Sequence, residues 1–332
     1  MGLDVRVDSI RRGILELFPP MIKYSLTSKG KRIIKFAVGL LDIATKGRIR
    51  ANILVGLVYH EVSDNPSKMA LDTKTFTSIS TFNKQMSWVC RLYAVIDISQ
   101  TEIKHKRGDL VLSFDDGYRS FKNNALPLIR KFGYPVICFI NSSTINKQIN
   151  ASALVSFESR LSREPTLWKN SNPEHYSDKI ELLNSLERDA LEAYQGEYLT
   201  WEDLKELSTD PLIKFGNHLQ NHWYSPRLTD LELRESIKLN EQENSQVVKL
   251  EKILAWPHGA STKLLSSIAS EEGMKIQMFG VDPTPVNKNT QVVLRVDMNQ
   301  GVSSYPNFRG SLLIARLKTH SGNKRKANKI TY

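Results

Sequence analysis

From Asn52 to Met298 short continuous runs of β-branched and aromatic residues recur, separated by turns, polar loops and stretches with helical spacing. The runs include ILVGLVYH, YAVIDIS, LVLSF, YPVICFI, LIKF, ILAW and QVVLRVDM, and the helical stretches include TFNKQMSWVCRLY, NNALPLIRKFG and LTWEDLKELS. Strands that alternate with helices of this length build βα units around a parallel sheet. Such a sheet collects the carboxyl ends of its strands on one face, where α/β proteins place their chemistry. The run Leu110–Phe114 stops there at two adjacent carboxylates, Asp115 and Asp116, followed at once by Gly117.

Three segments follow from the pattern. Residues 1–51 carry helical spacing in SIRRGILELF and RIIKFAVGLLDIA with FPP between them, and read as a helical extension. Residues 52–315 form the main α/β domain, interrupted at about 141–198 by a polar insertion with helix near DKIELLNSLERDALEAY. Residues 316–332 are a basic tail. Thr200 with Asp203, and Thr229 with Glu232, have capping-box spacing, the second opening a helix expected to run through Lys252.

With 40% hydrophobic and 24% charged residues the 332-residue chain is globular. Its net charge of +11 suits an acidic partner or a plain basic surface; the excess is spread, with no stripe that would point to nucleic acid. Only the flanks are concentrated, from Lys23 to Arg50 and in the tail GNKRKANKITY. Cys90 and Cys138 are too few for a disulfide framework. The start MGLDVRVDSIRRG lacks the pattern of a signal peptide, and IIKFAVGLLDIA is well short of the roughly 20 apolar residues that span a bilayer. The expectation is a cytoplasmic protein, soluble or held peripherally at a membrane through its basic amino-terminal segment.

His218 and His222 stand at i and i+4, which brings two imidazoles to one side of a turn. Alone the pair fits core packing as well as ligation. Two histidines and one carboxylate with open positions suit Zn²⁺ or a similar ion, which lowers the pKa of bound water to about 7. A second carboxylate can then take the water's proton.

This constellation resembles the polysaccharide deacetylases, the NodB-like family also called carbohydrate esterase family 4. SFDDGY resembles the family's first motif and NHLQNH its His-x-x-x-His motif. AWPHG resembles the aromatic-Pro-aromatic-Gly segment of its exopolysaccharide deacetylase branch, and VYHEV, FNKQM, TWEDLKEL and LRVDM follow the order of that branch. The resemblance spans residues 52–315 and implies a distorted (β/α) barrel that removes acetyl groups, N-acetyl first among them, from a sugar of a cell-surface polysaccharide or its precursor. An acetylated glycan or a lipid-linked saccharide would be the partner. Carried over by position, it makes Asp115 the general base and Asp116, His218 and His222 the ligands of Zn²⁺, with Co, Ni, Mn or Fe as alternatives. It gives the backbone N–H near His258 to the oxyanion and Arg295 to orienting Asp115. His60 ends the first strand and should point toward the site, for substrate contact or plain packing; Trp223 and Trp256 flank the proposed metal as a sugar-stacking surface or, more commonly, as buried aromatics; Tyr118 and Pro257 are further candidate substrate contacts.

Leu219 and Trp223 depart from the family's usual Ser or Thr and Pro, without removing a ligand. The Leu-His motif that normally supplies the general acid is not evident; His258 and His320 are the candidates, with a water or Asp115 itself as the remaining routes. Two other readings stay open: an inactive carbohydrate-binding module on the same fold, and an amidohydrolase for a small non-sugar amide.

Overall fold

The computed structural model describes residues 28–45, 54–99, 108–147, 149–164, 167–171, 173–280 and 290–327. The expected helix SIRRGILELF and the side chain of His320 lie outside the described residues. The chain divides into two compact units, one of Leu54–Lys104 with Asp109–Gln300, the other holding the two flanks.

In the larger unit β1 (Val55–Tyr59), β5 (Asp109–Phe114) and β6 (Val136–Ile140) are buried at every position. They are continuous apolar runs because a parallel barrel covers both faces of each strand. With β7 (Ile213–Asn217), β8 (Leu250–Ala255), β9 (Ile276–Phe279) and β10 (Gln291–Asp297) they form a closed parallel ring in the order β1, β10, β9, β8, β7, β6, β5. Closure comes from β1, which pairs with β5 from Val55↔Leu110 to Tyr59↔Phe114 and with β10 from Val55↔Leu294 to Val58↔Asp297. A short β4 (Ala94–Val95) adds to the start of β5, and β2 (Glu61–Val62) pairs separately with β3 (Phe76–Thr77). This is the distorted (β/α) barrel of the sequence expectation.

Helices α2 (Lys68–Thr73), α3 (Ile79–Leu92), α4 (Leu126–Phe132), α8 (Trp201–Leu207), α9 (Asp230–Asn244) and α10 (Lys263–Glu271) occupy the connections. Thr200 with Asp203 and Thr229 with Glu232 form complete capping boxes. Helix α9 ends at Asn244 and is capped at Ser245, and Lys252 lies in β8. The insertion is folded: α5 (Ala151–Ser162), α6 (Pro173–Leu182) and α7 (Ser185–Gln195) send Leu154, Val155, Tyr176 and Leu191 into one apolar cluster with barrel residues such as Leu254 and Phe279.

In the smaller unit α1 (Ser28–Ala44) packs on α11 (Tyr305–Ala327) through Val38, Leu313 and Leu317, with Asp42 paired to Arg309 at 2.5 Å. Helix α11 runs unbroken across residue 315, where the pattern placed the start of the tail. No described helix is long and apolar enough to cross a membrane.

Candidate metal and hydrolytic centre

His60, Asp115, Asn141, His218 and Trp256 each follow directly after a barrel strand, so the parallel topology brings them to one end. The Asp115 N–H donates to the Tyr59 carbonyl at 2.9 Å, which ties the end of β5 to that of β1. Asp116 then turns back with φ 70° and Gly117 with φ 73°. Asp116 Oδ1 thereby lies 3.3 Å from His218 Nε2 and 3.2 Å from His222 Nε2. The three residues offer ligand atoms all within 4.8 Å of one another.

The tautomer of His218 is set by its surroundings. The Ala255 carbonyl, 2.8 Å from Nδ1, can only accept, so Nδ1 carries the hydrogen and Nε2 keeps its lone pair for a ligand. Both His218 Nε2 and Asp116 Oδ1 are buried without a hydrogen-bond partner. Buried polar atoms are ordinarily satisfied, so a pair of orphans aimed at one point fits a cation between them. Two imidazoles and one carboxylate are the donor set of a catalytic divalent ion with open positions.

The second carboxylate has a different setting. Asp115 Oδ1 receives Arg295 Nη1 at 2.5 Å, and its Oδ2 lies 3.7 Å from His218 Nε2. Burial pushes the Asp115 pKa up, but the Arg295 guanidinium and the neighbouring His218 outweigh it and hold the carboxyl below its usual range. Arg295 reaches this point across Gly56, its register partner in β1, where a Cβ would stand only 2.8 Å from Arg295 Cγ. Asp116 is held well below the carboxylate range: burial opposes ionisation, and the neighbouring His222 and His218 prevail. His218 is raised, since the two carboxylates outweigh its burial, while burial takes His222 down to about 4.

A net of asparagines holds the histidine loop. A register shift between Gly216 and Asn217 re-aims the chain just before His218. Asn217 Oδ1 accepts from the Leu219 N–H at 2.8 Å and from Asn240 Nδ2 at 3.0 Å, and Asn141 Nδ2 donates to the carbonyls of His218 and Leu219. The loop needs that hold, because Leu219 and His222 have φ of 62° and 52°. Of the six described non-glycine residues with positive φ, Asp116, Leu219, His222 and His258 surround this centre. Strain of about 1–3 kcal/mol per residue persists only where the surroundings impose it, and it gathers at functional sites.

A groove of about 710 Å³ opens beside the centre, with His222, His258, Trp168, Trp223 and Tyr224 among its lining residues. His258 sits exposed at the rim with its ring stacked on Trp168 at 4.3 Å and 4.7 Å from the ring of His222.

The structure brings Asp115, Asp116, His218, His222, Arg295 and His258 together, with His60 at the end of β1. The expected sugar contacts are placed differently. Trp256 is fully buried and donates its indole N–H to Gln277, Pro257 is buried beneath the rim, and Tyr118 is buried in a stack on Tyr198. Trp223 lies at the groove but is mostly buried among Tyr176 and its neighbours. Trp168 and the asparagines escape sequence reasoning; the one available signal is Asn141, a polar residue ending an apolar run just as Asp115 does.

Residues 102–277, just over half of the chain, match the sequence model of a family described as polysaccharide deacetylase. A search among curated proteins gives no match. Among solved structures, the fold is similar to IcaB from Ammonifex degensii, with a TM-score of 0.54, 15% identity, and coverage of 81% of this chain and 98% of that one. It is also similar to a polysaccharide deacetylase from Bacillus cereus (TM-score 0.53, 13% identity, 80% of this chain and 70% of that one). A third is the Streptococcus pyogenes deacetylase PplD in complex with acetate (TM-score 0.51, 15% identity, 79% and 97%). At these identities the likeness establishes the fold.

Proposed function

The chain belongs to the polysaccharide deacetylase family, and we propose that it is a metal-dependent hydrolase removing acetyl groups, N-acetyl first among them, from a sugar of a cell-surface polysaccharide or its precursor. The observation that carries this reading is the division of labour between adjacent carboxylates. Asp116 faces two imidazoles through an unpartnered oxygen, while Asp115 is held ionised by Arg295.

A divalent cation, Zn²⁺ by preference, held by Asp116, His218 and His222 would polarise the acetyl carbonyl and lower the pKa of a water beside it. Asp115 takes a proton from that water as its oxygen bonds to the acetyl carbon and the carbonyl electron pair moves onto oxygen. The backbone N–H of His258 is assigned to that oxyanion. Asp115 then returns the proton to the sugar nitrogen as the C–N bond breaks, leaving acetate and a free amine. Asp115 already carries the proton taken from the water, and is assigned both roles.

We also assign the protein to the cytoplasmic face of a membrane, on a lipid-linked saccharide. On α1, Ile33, Phe36 and Leu40 are exposed along one side at i, i+3 and i+7, with exposed Lys29, Lys31 and Arg32 near them. An apolar stripe edged by cations suits a helix lying in an anionic lipid interface.

The test of the catalytic reading combines metal content with acetate release. The zinc-equilibrated protein is expected to hold about one ion and to release acetate from N-acetylglucosamine oligosaccharides. His218→Ala is expected to lose both, whereas Asp115→Asn keeps the ion and loses about 10²–10⁴ in turnover. No bound ion in the unaltered protein, or full turnover in Asp115→Asn, would overturn the assignment.

A further inference from the structure

The groove beside the centre carries charges that the hydrolytic chemistry leaves unused. Its walls include Asp72, Lys74, Arg160 and Arg163. Asp72 is already engaged, with Oδ2 3.4 Å from Arg160 Nε. Lys74 and Arg163 remain, exposed and without an ion pair among the described residues. The groove is therefore electropositive once its one internal pair is counted.

The two cations also share an unusual placement. Lys74 closes α2 with φ 62° and Arg163 closes α5 with φ 57°. Left-handed caps favour glycine or asparagine, which reach that conformation with less strain. The negative end of a helix dipole welcomes a cation anywhere in the last turn. It does not call for the strained position, nor for two such caps on one groove. That groove also includes His222, His258 and Trp168, so a saccharide with its acetyl group at the centre shares it with both cations.

We propose that this groove is an anion subsite: the acetylated saccharide that the chain takes carries an oxyanion, a phosphate or a carboxylate, bound by Lys74 and Arg163. The inference rests on the deacetylase reading for the identity of the saccharide, and it adds the charge.

The test uses the zinc-loaded full chain and three probes: fully N-acetylated chitotetraose, which is neutral, a hyaluronan tetrasaccharide, which carries carboxylates, and UDP-N-acetylglucosamine, which carries a diphosphate. Affinities come from titration calorimetry at low salt, with acetate release followed in parallel. The unaltered chain is expected to bind at least one anionic probe about tenfold tighter than chitotetraose, a margin that shrinks as salt is added. The double variant Lys74→Asn/Arg163→Asn, chosen because asparagine tolerates the left-handed cap, is expected to lose the margin and keep its affinity for chitotetraose. A margin confined to the nucleotide sugar identifies phosphate, and one confined to hyaluronan identifies carboxylate. Equal affinity for all three probes, or an undiminished margin in the double variant, overturns the subsite. Acetate from chitotetraose without any anion margin sinks the subsite alone. A margin that the double variant abolishes, with no acetate from any probe, sinks the deacetylase reading and leaves the subsite standing.

Discussion

Replacing Arg295 by methionine removes the cation that faces Asp115 while keeping much of the side chain's volume. Both side chains are 4% exposed, and the pair is 2.5 Å apart. Breaking a buried pair strands its partner's charge, so Arg295→Met is expected to cost about 3–5 kcal/mol of stability near pH 8. Asp115→Asn on the same background removes the stranded charge, and the double variant is expected to recover much of the loss. The pH dependence carries the sign. In the unaltered chain the folded Asp115 pKa is depressed, so its contribution is present above the unfolded value and fades as acid reaches the folded one. In Arg295→Met burial acts without the guanidinium and raises the folded pKa, so the deficit should shrink on going from about pH 8 to about pH 5.5. Urea unfolding of chelator-treated protein measures each corner of the cycle. A loss below about 1 kcal/mol that is the same at both pH values would refute the buried-pair argument.

Gly56→Ala would press a methyl onto Arg295 Cγ and Met278; an overpacking cost of about 1–3 kcal/mol with reduced kcat is expected, read by thermal unfolding and acetate release. Asn141→Ala leaves the carbonyls of His218 and Leu219 without their donor; zinc affinity is expected to weaken about 10–100-fold, measured by chelator competition. Zinc affinity should also fall with acid. Of the three ligands His218 alone is raised above its usual value, so ligation must displace its proton and affinity declines with a one-proton slope below that raised pKa. A flat or two-proton profile would contradict this ordering. Phe36→Asp on α1 is expected to reduce binding to anionic vesicles by at least about tenfold at low salt, measured by co-sedimentation.

The barrel and the ends of its strands were legible because their signals are local. Continuous apolar runs mark strands covered on both faces, and Asp115-Asp116-Gly117 marks where one stops. The capping boxes at Thr200 and Thr229 were legible for the same reason, since three residues suffice to define them. What depends on remote partners was not. Trp168 lies in a polar stretch, and its stack on His258 joins residues 90 apart in sequence that the folded insertion brings together. Asn141, Asn217 and Asn240 are neutral amides whose pattern exists only in three dimensions. Trp256, by contrast, reads from its neighbours in AWPHG either as a sugar-stacking ring or as a buried aromatic, and the packing around Gln277 gives the second.

Strand β1 lies between β5, which ends at Asp115, and β10, which carries Arg295. Asp115 and the cation that faces it therefore come from strands whose pairing with β1 spans very different lengths of chain. A growing chain can zip β1 to β5 long before β10 has been made, and in that interval Asp115 has no guanidinium beside it. Strand β10 thus both closes the ring and brings the guanidinium that offsets the burial of Asp115. Before that the carboxylate is held by water alone, so its burial and its counter-cation arrive in one step, when the barrel is completed.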